Sequence, residues 1–65
     1  MLSNYLDLKT GNKLVCVVEN KEKGIKPGDT GLIEYVAGEV VYVTINGELQ
    51  RWILDELDVY LEPTR

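Results

Sequence analysis

Few residues of this chain could do chemistry, and their spacing argues against it. There is no histidine among the 65 residues. Without an imidazole, the usual relay that activates a serine or cysteine nucleophile cannot be built. Ser3 is the only serine, and no Ser-Lys motif accompanies it. Cys16 is the only cysteine and sits among valines, in Leu14-Val15-Cys16-Val17-Val18. A thiol buried in such a strand has a raised pKa and is inert. One cysteine excludes an internal disulfide, and with no histidine it excludes an ordinary zinc site. Asp55, Glu56 and Asp58 could meet a hard cation, but no Asp-x-Asp-x-Asp-Gly loop surrounds them, so a solvated turn is expected. The glycine-rich stretch Lys23-Gly24 to Pro27-Gly28-Asp29-Thr30-Gly31 lacks the Gly-Lys-Ser/Thr ending of a phosphate loop. The expectation is a protein without catalytic activity, cofactor or metal.

Binding chemistry is better represented. The net charge is −4, unevenly spread. Residues 1–33 carry five lysines against Asp7, Glu19, Glu22 and Asp29, a net of +1. Residues 34–65 carry seven acids against Arg51 and Arg65, a net of −5. The one basic cluster is Lys21, Lys23 and Lys26. A nucleic-acid module normally presents a basic face, so nucleic acid is an unfavoured partner. No apolar run reaches the ~18 residues of a membrane span. The first five residues lack the basic and long apolar regions of a signal peptide, so a cytoplasmic location is expected.

The elements that must position these groups are β-strands. Val, Ile and Tyr are dense, and turn residues punctuate the chain at short intervals. Strands are expected over 13–19, 30–36, 39–45, 48–53 and 59–61. The segment 20–29 reads as a long loop with a turn at Pro27-Gly28. Asn46-Gly47 tolerates the positive φ values of a type I′ hairpin turn. The segment 54–58 is too short for a stable α-helix and is expected to form one 3₁₀ turn, and Pro63 should end the last strand.

This order resembles an SH3-like small β-barrel, all-β and five-stranded, with one 3₁₀ turn before the last strand. Residues 1–10 would form an N-terminal extension and 11–65 the barrel. Gly11-Asn12-Lys13-Leu14-Val15-Cys16-Val17, Lys23-Gly24 and Pro27-Gly28-Asp29-Thr30-Gly31-Leu32-Ile33 are similar to the KOW pattern, with Asn12 where Asp is usual. The tail from Val40 to Leu57 looks like small stand-alone SH3-like proteins of bacteria and their phages. Such barrels host many functions, so the resemblance speaks for fold more than activity.

The Asn46-Gly47 turn sets a register in which Ile45 pairs with Glu48 and Val40 with Ile53. One face then shows Val40, Tyr42, Thr44, Leu49, Arg51 and Ile53, the other Val41, Val43, Ile45, Glu48, Gln50 and Trp52. Both faces are half apolar. The family pattern places Leu14, Cys16, Val18, Ile33, Val40, Tyr42, Leu49 and Ile53 inside, leaving Val41, Val43, Ile45 and Trp52 outward. Three readings follow. The extension, with Leu2, Tyr5, Leu6 and Leu8, covers that outward face. Or the face binds a protein or a second copy, with Trp52 as anchor. Or the faces are reversed and Trp52 is core, since bulges can swap faces.

The leading functional expectation is a non-catalytic protein-interaction module, of the kind a phage-type small protein would use on a host protein. Its surface would be Val41, Val43, Ile45 and Trp52, or a groove beside the long loop using Tyr35, Trp52 and Tyr60. The runner-up is a KOW-like nucleic-acid or ribonucleoprotein binder using Lys21, Lys23 and Lys26. A third reading is an acidic nucleic-acid mimic that inhibits a host enzyme.

Overall fold

A computed structural model of the chain describes residues 10–64. Among these residues five strands form one antiparallel sheet: β1 (Lys13–Cys16), β2 (Thr30–Ala37), β3 (Val40–Ile45), β4 (Glu48–Ile53) and β5 (Leu61–Pro63). A short helix, α1 (Leu54–Tyr60), lies between the last two. The strand order across the sheet is β4-β3-β2-β1-β5. The expected extension falls, except for Thr10, outside the described residues. So does the question of whether Leu2, Tyr5, Leu6 and Leu8 cover a face.

The hairpin of β3 and β4 follows its turn chemistry. Asn46 and Gly47 take φ values of 53° and 79°, both left-handed, as a type I′ turn requires. Ile45 faces Glu48, and each pair follows in step to Val40 opposite Ile53. This is the register expected from the sequence.

The barrel expectation needs correction. Among the described residues the sheet is not closed: β4 and β5 are its two edges and do not pair. The chain between them forms α1, which packs against both. The 3₁₀ expectation also changes, because the helix runs on through Val59 and Tyr60, which were expected to begin a strand. Leu57 and Leu61 are buried and Leu54 partly so, a spacing of three and four residues that puts them on one side. Asp55 and Glu56 in the first turn complement the helix dipole. A seven-residue helix is marginal alone, so this packing holds it. The fifth strand shifts to Leu61–Pro63, with Pro63 as its last residue opposite Leu14 on the sheet's edge strand. The first strand stops at Cys16, three residues earlier than expected.

The core consists of Leu14, Cys16, Ile25, Ile33, Val41, Val43, Ile45, Trp52, Leu57 and Leu61. Of the interior expected from the family pattern, Leu14, Cys16 and Ile33 are buried, whereas Val18, Leu49 and Ile53 are exposed. Val40 and Tyr42 are half-buried. The hairpin therefore takes the reversed orientation. A buried face containing Arg51 would strand a guanidinium away from water, a costly act. The face that is buried carries Gln50 instead, a neutral group whose polar atoms can all be paired.

A bulge decides the orientation of β2. The register shifts between Ile33 and Tyr35, so Ile33 faces Val43 while Tyr35 faces Tyr42. Glu34 is the extra residue. Without it, Tyr35 would follow Ile33 into the core. With it, Val36 packs against the core and Tyr35 stands on the outer face.

Candidate functional site

The four residues expected as an outward anchor are core residues. Val41, Val43 and Trp52 are fully buried and Ile45 is 1% exposed. Trp52 is held on three sides. Its indole N–H donates to Gln50 Oε1 at 3.1 Å, and its ring meets that of Tyr60 at 5.9 Å between centroids. Lys23 Nζ lies 4.9 Å from the ring centroid. The groove expected from Tyr35, Trp52 and Tyr60 does not form. Tyr35 stands on the opposite face of the sheet, against Tyr42 at 6.1 Å.

The three lysines part company as well. Lys23 is half-buried and bound within the chain. Its ammonium donates to the Arg51 carbonyl at 2.7 Å, and its own carbonyl accepts from Gln50 Nε2 at 2.8 Å. A tight turn holds it there: Asn20 and Ile25 pair their backbones, and the Lys23 N–H donates to Asn20 Oδ1. Lys21 and Lys26 line an open cleft of ≈ 430 Å³, but Glu19 and Asp29 line it too. The Lys26 N–H and the Asn46 side-chain amide donate to Asp29 Oδ2, holding that carboxyl below its usual range. The cleft is thus of mixed charge, with no cationic track for a phosphate chain.

Cys16 is buried, and its thiol donates to the Val18 carbonyl at 3.0 Å. Burial pushes the thiol up from its ordinary value, and the nearby Asp29 and Glu19 charges add to the rise. Little thiolate exists there to act as a nucleophile.

The surface that the structure does assemble is the outer face of β2, β3 and β4. Register pairs place Leu32 beside Thr44, Thr44 beside Leu49, Tyr35 beside Tyr42, Tyr42 beside Arg51 and Val40 beside Ile53. Tyr35 is 60% exposed, Leu49 61% and Ile53 47%. Glu34, put out by the bulge, accepts from the Thr44 hydroxyl at 2.8 Å. The sequence reading of an apolar surplus on the hairpin was sound; its assignment to the Trp52 face was not. The signal that could have located it was Arg51, central on the face that lies outward.

Comparison of the chain with models of protein families, with curated proteins and with solved structures finds no match.

Proposed function

We propose that this protein is a non-catalytic interaction module of SH3-like type that binds another protein through the outer face of β2–β4. The observation that carries the reading is the gathering of exposed Tyr35, Leu49 and Ile53 on one sheet face, around Arg51. Tyrosine and arginine are the residue types over-represented where binding energy concentrates. Rigid strands hold them, so little backbone order has to be imposed on association. The SH3-like part rests on the strand order, the long β1–β2 loop and the short helix before β5. Nucleic-acid binding ranks behind, because Lys23 is engaged within the chain and acids share the cleft of Lys21 and Lys26.

The test compares the full chain with a Tyr35→Ala/Leu49→Ser variant as bait in cell lysate. Both substitutions are at exposed positions, so melting temperature should hold. A protein retained by the wild type and lost from the variant is the expected result. Equal retention by both, or by neither, overturns the reading.

A further inference from the structure

We propose that the partner is an extended segment that adds as a strand to the open edge of β4, carrying a carboxylate flanked two residues away on each side by apolar residues. This inference rests on the interaction reading above and specifies its partner.

The first observation is the edge. Among the described residues β4 pairs with β3 alone. In a two-residue hairpin, Glu48, Gln50 and Trp52 exchange backbone hydrogen bonds with β3. Leu49 and Arg51 therefore turn their N–H and C=O groups away from it, as does the Ile53 N–H, whereas the Ile53 carbonyl serves the first turn of α1. The Arg51 carbonyl confirms the direction, since it accepts from Lys23 and not from β3. Six residues make this a long edge, whereas β5 has three and ends in proline. Unpaired edge groups of this kind are a template for another strand. Lys23 guards one point only. It sits on the Trp52 side, and a carbonyl oxygen keeps a second lone pair.

The second observation is the side-chain pattern along that edge. Leu49, Arg51 and Ile53 alternate onto the outer face, spaced about 6.4–6.8 Å apart by the strand repeat. The Arg51 guanidinium has no hydrogen-bond or ion-pair partner among the described residues. It is the sole cation of residues 34–64, where seven acids reside. Charge complementarity then fixes what can lie beside it. A carboxylate directly opposite Arg51 forms a cross-strand ion pair with the one cation of residues 34–64. The flanking positions of the partner face Leu49 and Ile53, and water excluded by those contacts strengthens the pair between them.

The experiment selects ligands for the folded full-length protein from a random displayed-peptide library, then measures the selected synthetic peptides against variants. The expected peptides carry Asp or Glu with an apolar residue two positions before and two after. Binding should weaken at least tenfold with Arg51→Ala, recover in part with Arg51→Lys, and weaken with Leu49→Pro, which removes an edge N–H that β3 does not use. Peptides lost on Tyr35→Ala/Leu49→Ser but indifferent to Arg51→Ala and Leu49→Pro would overturn this inference and leave the interaction reading standing. No selected peptide, or peptides indifferent to all these variants, would overturn both. Circular dichroism of each variant confirms that the fold is kept.

Discussion

Lys23 shows how far a residue's type falls short of its role. By sequence it belongs to a basic cluster; by structure it is a clasp that ties the long loop to β4. Its ammonium sits over the Trp52 ring and bonds the Arg51 carbonyl, while its carbonyl is used by Gln50. Lys23→Ala removes the first two interactions and leaves the third. The expected loss is about 1 kcal/mol, the order of one partly exposed cation–π contact. Lys21→Ala, at an exposed site, should change stability by less than about 0.5 kcal/mol. Chemical denaturation of the two variants checks the contrast; equal midpoints would mean that Lys23 does no structural work. Trp52 shifts in meaning too. Trp52→Ala empties a fully buried site and should cost about 3–5 kcal/mol, so it reports on folding and not on partner binding.

At the level of elements, close approach between strands explains more than propensity does. Gly31, the second residue of β2, faces Ile45 and is buried. A Cβ there would lie 2.7 Å from Val43 Cγ1 and 2.9 Å from Ile45 Cγ1. Gly31→Ala should therefore destabilise by about 1–3 kcal/mol through overpacking, read from thermal melts. A variant as stable as wild type would show that the β2–β3 contact yields freely. The sequence supplied this glycine and the Asn46-Gly47 turn, and both are where local chemistry demands them. It supplied the hairpin register to the residue. It did not supply the bulge at Glu34, because Leu32-Ile33-Glu34-Tyr35-Val36 reads equally well with or without an extra residue. Nor did it supply α1, since the helix needs Leu57 and Leu61 to be buried together before its seven residues hold.

Over the whole molecule, two groups set opposite limits on stability with pH. Asp29 holds its carboxyl below the usual range, chiefly through the Lys26 backbone N–H and then the Asn46 amide. Its contribution is present above about pH 4 and is lost as pH falls through the folded-state value. Cys16 titrates in the other sense. Its thiol is raised by burial, so the unfolded chain gives up that proton first. Its contribution is complete below about pH 8.5 and is lost as pH rises through the folded-state value. Unfolding measured across pH should decline at both ends, with Asp29→Asn flattening the acid arm and Cys16→Ala the alkaline one; unchanged arms would remove these groups from the account. A 65-residue chain with one cysteine has little margin to lose. The sequence by itself determined a mostly-β protein, the positions of most of its turns and strands, the hairpin register and an apolar surplus on both faces of that hairpin. Those features depend on neighbours in the chain, through turn geometry and the two-residue period of a strand. Which face lies inside, whether the sheet closes and where the exposed surface falls were decided only by tertiary structure. They turn on one bulged residue, one short helix between the sheet edges, and the relative cost of burying Arg51 or Gln50, each settled by groups far apart in sequence.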